Sequence, residues 1–316
     1  MSSPPSILCP IDYSDGSAGA LRYAAAIAEY FSATLIVLTV EDPLLTTAMD
    51  LGTGIYWTPI LSKGEIAEFT TEALEGEQTP LARCEYDVAI GKPPVEILRA
   101  AHQRDCDLIV MSSHGLTGAR KLFFGSTTER VLRETTVPVL VTPSTERGPL
   151  HYADAAKLFR RIVVPMDLSP ASGYQAEIAG RIAATLHLAL LLVHVIEPLR
   201  GRLLARHNVS GLNASRRALA EERLNEITAR LPKETRPEAL IAYGDPAEET
   251  AKVVRDRGAG LIVMGLHGSP LMGPRMGSVT YRILCLCSVA VLALPPRAAA
   301  AGSEPAAASS PKTDEG

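Results

Sequence analysis

The residues best suited to chemistry lie in a glycine-rich stretch, SSHGLTGARKLFFGST, at positions 112–127. It follows an apolar run, DLIVM, and ends in Gly125, Ser126 and Thr127, where a helix is predicted to begin. Glycine lets backbone N–H groups approach a phosphate without a side-chain clash, and a helix start adds unpaired donors and a favourable dipole for an anion. The stretch therefore favours a phosphate-binding loop.

A second interpretation of the same residues stays open. Ser126 to Glu129 match the capping box S-x-x-E, which would close the helix start on itself. The Walker A pattern GxxxxGK[ST] is absent from the sequence, and no GxGxxG follows the first predicted strand of either copy described below. These two absences argue against nucleotide hydrolysis by a P-loop and against dinucleotide binding of the Rossmann type.

The chain contains two copies of one sequence module. ILCPIDYSD (7–15) recurs as IVVPMDLSP (162–170), CDLIVMSSHG (106–115) as AGLIVMGLHG (259–268), and PVLVTP (138–143) as AVLALP (290–295). The glycine-rich stretch recurs as GLHGSPLMGPRMGSV (265–279), one residue shorter. Order is kept throughout, which indicates duplication. We predict domains at 1–148 and 158–297, followed by a small, polar, proline-rich tail at 298–316 that is too poor in apolar residues to fold.

The elements of each copy are predicted from apolar runs and helix-start signals. Runs such as ILCPI lack polar alternation, as expected for parallel strands covered on both faces. Ser14 and Ser169 are predicted helix caps, and Pro93 is predicted to open another helix. Strands that alternate with helices imply right-handed crossovers. The fold class is therefore α/β, with two tandem open, mostly parallel five-stranded sheets flanked by helices.

Three features of each copy fall at predicted strand ends. In the first copy these are Pro10-x-Asp12 after strand one, Val40 at the end of strand two, and the glycine-rich loop after strand four. Ligands of open parallel sheets bind beyond the carboxyl ends of the strands, where the strand order switches direction. We therefore expect the three features to meet in one crevice.

These motifs resemble the universal stress protein family, and the resemblance covers the whole chain except its tails. Nucleotide-binding members of that family show the pattern G-x2-G-x9-G-[ST], preceded by a P-x-D strand end. The first copy keeps the nine-residue spacing but has Ser112 in place of the opening glycine. The second copy keeps Gly265 and Gly268, but only eight residues precede Gly277. Each copy thus departs once from the pattern.

The resemblance implies a Rossmann-like fold of the adenine-nucleotide-binding type, with ATP as ligand, with or without Mg²⁺, and with AMP and ADP as alternatives. Asp12 and Val40, with Pro10 of the same strand end, would hold the adenine and ribose side. The phosphates would be cradled by Ser112, Gly115, Gly125, Ser126 and Thr127. The implied binding residues of the second copy are Asp167, Val195, Gly265, Gly268, Gly277, Ser278 and Val279.

We expect the first copy to be the better ATP site because its loop has the length of the family pattern. The opposing argument concerns the helix start. Tyr281 stands where the first copy has Glu129, so the capping box is lost in the second copy and an anion would meet less competition there.

Composition narrows the class of protein and its compartment. The 316 residues carry a formal net charge of −4, which argues against a protein built to bind nucleic acid or an anionic membrane. Five cysteines without CxxC spacing are expected to be reduced and buried. The amino terminus lacks the pattern of a signal peptide, and no apolar run reaches the roughly 18 residues of a spanning helix. These features predict a cytoplasmic protein.

The leading functional hypothesis is an adenine-nucleotide-binding regulatory protein of the stress-response type, without strong catalytic activity. The first alternative is an interaction module that has kept the fold and lost the ligand. The second is a slow ATP hydrolase using Asp12 or His114. His114, its counterpart His267 and the lone Trp57 are otherwise interpreted as loop or core residues. The family resemblance also implies that the two domains pair through their last strands as an intramolecular pseudo-dimer, with a homodimer of two chains as a further expectation.

Overall fold

The computed structural model describes residues 4–41, 43, 59–74, 83–113, 125–143, 148, 157–198, 209–266 and 276–296. The strands are β1 (Ser6–Ile11), β2 (Thr34–Glu41), β3 (Cys84–Ile90), β4 (Leu108–Ser112), β5 (Val139–Thr142), β6 (Arg161–Met166), β7 (Ala189–Ile196), β8 (Glu238–Tyr243), β9 (Leu261–Gly265) and β10 (Ala290–Leu294). The helices are α1 (Asp15–Phe31), α2 (Pro59–Ala73), α3 (Pro93–Gln103), α4 (Ser126–Glu134), α5 (Pro170–Leu186), α6 (Val209–Ala229), α7 (Pro246–Asp256) and α8 (Ser278–Leu286). The predicted tail at 298–316 and Trp57 lie outside the described residues.

The strands form one sheet of ten, in the order β3-β2-β1-β4-β5-β10-β9-β6-β7-β8. All neighbours are parallel except β5 and β10, which pair antiparallel with Val141 opposite Val291. The predicted α/β class with a mostly parallel sheet is confirmed. The two five-stranded sheets, however, are continuous. Each would otherwise end in an unpaired apolar strand, and the antiparallel pair covers both edges at once.

The continuous apolar runs are buried on both faces of the sheet, as their pattern predicts. In β1, Ile7, Cys9 and Ile11 face one core, while Leu8 faces the other, because neighbouring side chains of a strand point to opposite sides. Helices α1, α2, α5 and α6 contribute to the first core, and α3, α4, α7 and α8 to the second. Both cores contain residues of both copies.

Helix starts follow the local sequence where a capping residue is present. The Ser14 hydroxyl accepts the Ser17 N–H at 3.2 Å, and Ser169 accepts the Ser172 N–H at 3.3 Å. Both predicted caps are therefore present. Helix α3 begins at Pro93 as predicted, although Lys92 before it makes no capping hydrogen bond in the described part of the chain.

A second joint between the copies lies just before β6. Phe159 stacks on Tyr23 of α1 with ring centroids 6.0 Å apart. The Phe159 carbonyl accepts the Gly260 N–H at 3.0 Å. A Cβ at Gly260 would lie 1.8 Å from the Leu158 oxygen, so this close approach requires glycine. The start of the second copy is thus held between α1 of the first copy and the loop before β9.

All five cysteines are free thiols, with Cys9 and Cys106 buried and the others half-buried. None of the helices in the described ranges combines the length and the apolarity needed to cross a bilayer.

Candidate functional site

The candidate site of the first copy lies at the carboxyl ends of β2, β1 and β4, which are neighbours in the sheet. From β1 the chain builds outward to β2 and β3, then returns to β4 on the other side of β1. The strand order therefore switches between β1 and β4, which is where an open parallel sheet leaves a crevice. In the second copy the switch lies between β6 and β9.

The structure brings the predicted strand-end residues together at this edge. Pro10 is buried in β1 opposite Leu38, and Asp12 follows the strand, half-buried. Val40 is half-buried near the end of β2, and Ser112 is the buried last residue of β4. Gly115 of the same loop lies outside the described residues, as do Gly268 of the second copy, His114 and His267.

The Asp12 carboxylate is held by the helix cap beside it. Its Oδ1 accepts the Ser14 N–H at 3.2 Å and the Ser14 hydroxyl at 2.5 Å. In the second copy Asp167 accepts the Ser169 N–H at 2.9 Å. Burial raises the pKa of Asp167, but the hydrogen bonds from Ser169 and Ser172 lower it more, so the pKa lies below its usual value. Asp167 therefore stays ionised at neutral pH.

The turn after each aspartate has a left-handed backbone that residue type did not signal. Tyr13 has a φ of 60° and Leu168, its counterpart, a φ of 63°. A non-glycine residue in this region costs roughly 1–2 kcal/mol. Because both copies have this conformation at matched positions, the turn is a shared feature of the two repeats. Tyr13 also packs edge-on against Phe69, with centroids 5.3 Å apart.

The start of α4 differs from the capping-box interpretation. Gly125 is the residue before the helix, so Ser126 already lies in the first turn, and no described side chain caps it. Glu129 instead accepts hydrogen bonds from Arg133 at 3.0 and 2.7 Å. The capping box is therefore wrong. The N–H groups of the first turn have no acceptor within the helix, and they are the donors that an anion would use.

A buried threonine fixes each helix start to a strand end. The Thr128 hydroxyl donates to the Ser112 carbonyl at 2.9 Å, and the Thr280 hydroxyl donates to the Gly265 carbonyl at 3.1 Å. Sequence reasoning missed both residues. Their signal was an identical threonine at matched positions of the two loops, within an otherwise divergent stretch.

The loop after β4 and the loop after β9 are closed by the same backbone hydrogen bond. Gly125 donates its N–H to the Ser113 carbonyl at 3.0 Å, and Gly277 donates to the Leu266 carbonyl at 3.0 Å. Gly277 precedes α8 as Gly125 precedes α4, and no side-chain cap occurs there within the described residues. The missing residue of the second loop therefore does not change its two ends. Ser278 and Val279 are exposed on the first turn of α8, as Ser126 is on α4.

The serine at the opening position of the pattern has a packing explanation. In the second copy a Cβ on Gly265 would lie 2.0 Å from Nε2 of Gln175, so glycine is needed while Gln175 occupies that space. The first copy has Ala20 at the position of Gln175, and Ala20 is fully buried. The smaller helix residue leaves room for Ser112. The pairs Gln175–Gly265 and Ala20–Ser112 are alternative ways to fill one gap.

Charge on the flank of the site differs between the copies. Arg282 of α8 contacts Asp245 at 2.5 Å and Glu248 at 3.0 Å, at the start of α7. Their counterparts in the first copy are Arg130, which pairs with Glu134 at 3.0 Å, and Lys92, which is exposed. The second copy neutralises its arginine with two carboxylates, whereas the first places a cation at both matched positions.

Fold and site together define a tandem α/β protein in which each copy has the same switch in strand order, the same strand-end turn and the same helix start. A profile of the Universal stress protein family matches residues 5–143 and 158–295, and the chain belongs to this family. The predicted resemblance is thereby confirmed, and the protein belongs to the stress-response class. Residues 1–148 and 158–297 remain the predicted domain bounds.

Individual relatives match either one copy or the whole chain. The universal stress protein YxiE of Bacillus subtilis is 32% identical over 143 residues, which are 43% of this chain and 96% of the relative. The crystal structure of a universal stress protein from Archaeoglobus fulgidus has a TM-score of 0.60 at 21% identity, over 93% of this chain and 99% of the other. A putative universal stress protein from Pseudomonas aeruginosa has a TM-score of 0.64 at 16% identity, over 93% and 94%. These two likenesses show the tandem fold.

Proposed function

We propose that the protein binds adenine nucleotides and acts as a regulatory protein of the stress response, with ATP as the ligand of the first copy. The observation that carries this proposal is the open start of α4. Thr128 holds it against the end of β4, and no described side chain occupies its first-turn donors. The helix dipole and these donors favour a phosphate group at this point.

The proposed roles follow from the order of the strand ends. Val40 and Pro10 offer an apolar wall for the base, and the Asp12 carboxylate offers an acceptor for a ribose hydroxyl or an exocyclic amine. Gly125, Ser126 and Thr127 would hold the phosphates. Ser112 and Gly115 would shape the entrance of the loop. ATP with Mg²⁺, ADP and AMP are all proposed as ligands of this crevice.

The structure removes the sequence argument in favour of the second copy, because neither helix start carries a capping box. Two differences support the first copy as the stronger ATP site. Thr127 offers a hydroxyl where the second copy has Val279. Lys92 adds positive charge at the position where the second copy has Asp245, which pairs with Arg282. We propose weaker nucleotide binding at Asp167, Val195, Gly265, Gly268, Gly277, Ser278 and Val279.

The proposed activity is binding without strong catalysis. Oδ1 of Asp12, the carboxylate considered as a general base, already accepts two hydrogen bonds from Ser14. Within the described ranges, no three His, Cys, Asp or Glu side chains are grouped so as to hold a metal ion. Binding would act by shifting the population of conformations that a partner recognises. We expect no sustained release of phosphate from ATP, and sustained turnover would favour the hydrolase.

The proposal is tested by titrating ATP into nucleotide-free protein by calorimetry. Gly125 has a φ of −59° that any residue can adopt, so Gly125→Glu should fold and place a carboxylate at the phosphate position. We expect the ATP affinity to fall by about tenfold or more. Gly277→Glu is the matched control and should leave the stronger site intact. Absence of saturable binding at millimolar ATP, with no nucleotide released on denaturation, would refute the proposal and favour an interaction module.

We also propose that the β5–β10 pair makes each chain its own pseudo-dimer. Association of two chains into a homodimer remains a prediction, checked by light scattering with and without ATP.

A further inference from the structure

A cavity of about 320 Å³ lies at the amino ends of the strands, whereas the proposed nucleotide site lies at their carboxyl ends. Its walls come from the residues just before β6, β9 and β10, from α7, and from Tyr23 of α1. A volume of this size is at the lower end of the range found for small-molecule sites. The cavity also lies at the joint where Tyr23 stacks on Phe159, so a molecule inside it would touch both copies.

The charged residues among those described in the cavity lining are both positive. Arg160 and Arg255 line the cavity, and none of the described lining residues carries a carboxylate. Neither arginine forms an ion pair with any residue in the described part of the chain. Their neighbours behave differently, because Arg161 and Arg257 both approach Glu238, at 3.5 and 3.7 Å. The two arginines that line the cavity are thus the ones that lack a counter-charge there.

Both arginines are exposed and lie at a helix end. Arg255 lies in the last turn of α7, and Arg160 directly follows the helical residues 157–159 with a left-handed φ of 45°. A cation at the carbonyl end of a helix interacts favourably with the helix dipole, which accounts for both positions. Two cations beside one cavity favour a ligand with negative charge, which would form charge-assisted hydrogen bonds with both side chains.

The other lining residues that the structure describes are mostly apolar and uncharged at neutral pH. Leu158, Val254, Leu286 and Val289 line the cavity together with Cys287. Burial raises the pKa of the Cys287 thiol to about 12, although Arg255 lowers it in part, so the sulfur stays uncharged. An uncharged thiol does not repel an anion and packs like a small apolar group.

We propose that this cavity binds a small organic anion, with a carboxylate or sulfonate held by Arg160 and Arg255 and an apolar body against Leu158, Val254 and Val289. The cavity is distinct from the nucleotide crevice because it lies at the amino ends of the strands. Inorganic phosphate alone would leave the apolar walls uncovered. The ligand class is therefore an aromatic or aliphatic acid.

The test is a fluorescence and calorimetric titration of the full chain with anilinonaphthalene sulfonate, an aromatic sulfonate, under saturating ATP to occupy the nucleotide crevice. Arg255→Gln and Arg160→Gln should each weaken binding by about tenfold, because each removes a charge-assisted contact. Arg257→Gln and Arg161→Gln are matched controls from the same segments. They should change the affinity by less than about twofold.

A third variant covers the case in which an arginine substitution disturbs the fold. Ser288 is exposed at the rim, so Ser288→Trp should fill the mouth of the cavity and abolish binding while the melting temperature stays unchanged. Binding to the wild-type protein should also weaken as salt is raised. The proposal is overturned if binding does not saturate at millimolar probe. Equal losses in the cavity and control variants, or full binding by Ser288→Trp, would overturn it as well.

Discussion

The starts of α4 and α8 have the same backbone arrangement but differ in the side chains around them. In both copies a glycine closes the loop onto the strand end, and a threonine hydroxyl fixes the helix to the last strand residue. Around that frame, Ala20 and Ser112 replace Gln175 and Gly265, and Lys92 replaces Asp245. The comparison shows that the frame survived duplication while the packing and the charge beside it changed.

The largest effect is expected where the packing pairs are mixed. Gly265→Ser displaces the amide end of Gln175, whose Nε2 lies 2.0 Å from the ideal Cβ; this half-buried side chain can turn away in part, so the free energy of unfolding should fall by about 1–2 kcal/mol. Adding Gln175→Ala recreates the pair of the first copy and should restore most of that stability. Urea unfolding of the single and double variants measures the coupling. Additive effects would show that the two positions do not share one space.

The threonine bond comes next in size. Thr128→Val keeps the shape but removes the donor to the Ser112 carbonyl, which should cost about 1–2 kcal/mol of unfolding free energy. ATP affinity should fall as well, since the helix start is no longer held against the strand end. Thr280→Val should lower stability to a similar degree and leave ATP affinity unchanged. Calorimetric titration separates these outcomes, and equal losses of affinity would mean that the second copy holds the ATP.

Exchanging a flank charge should change stability and affinity in opposite directions. Lys92→Asp gives α3 the capping aspartate that Asp245 supplies to α7, where its carboxylate accepts the N–H groups of Ala247 and Glu248. Pro94 has no N–H to match that of Ala247, so only the Val95 N–H is available to the new carboxylate and the unfolding free energy should rise by about 0.5 kcal/mol. ATP affinity should fall about threefold through loss of positive charge near the phosphates. Lys92→Ala is the control, with the loss of affinity but without the gain in stability.

The smallest effect is a pH dependence confined to the second copy. Partial desolvation raises the pKa of Asp245, but Arg282 and two backbone N–H groups lower it more, so the pKa lies below its usual value. A carboxyl with a lowered folded-state pKa stabilises the protein above its unfolded pKa of about 3.9, and that contribution is lost as the pH falls through the folded value. Asp245→Asn should cost below about 1 kcal/mol at pH 7. Denaturation series should show the difference vanishing in acid.

Sequence predicted those parts of the fold that are decided locally. Ser14 and Ser169 cap their helices because the hydroxyl and its acceptor lie within one turn, and Pro93 opens α3 for the same reason. The internal repeat predicted one candidate site in each copy, because matched strands end at matched motifs. The pairing of the last strands, which makes the ten-stranded sheet continuous, came from the family resemblance and not from a local pattern, because Val141 and Val291 lie far apart in the chain.

The errors and omissions share a physical cause. Ser126 matches a capping box, yet the bond between Gly125 and Ser113 moves the helix start by one residue, and that bond is tertiary. The left-handed turn at Tyr13 has no signature in residue type. The cavity between the copies joins Tyr23, Arg160 and Arg255, which no spacing rule connects. Local patterns locate elements, whereas contacts between distant elements decide the details of a site.

The antiparallel join also has a consequence during synthesis. The first copy leaves the ribosome complete up to β5 well before β10 is made, because the partner strand is Ala290–Leu294 near the other end of the chain. Until then β5 is an exposed apolar edge. The β5 strand of a second nascent chain would offer it the same two-fold antiparallel register. The covalent link favours the correct outcome, because it holds the second copy at an effective concentration in the millimolar range, above that of any neighbouring chain.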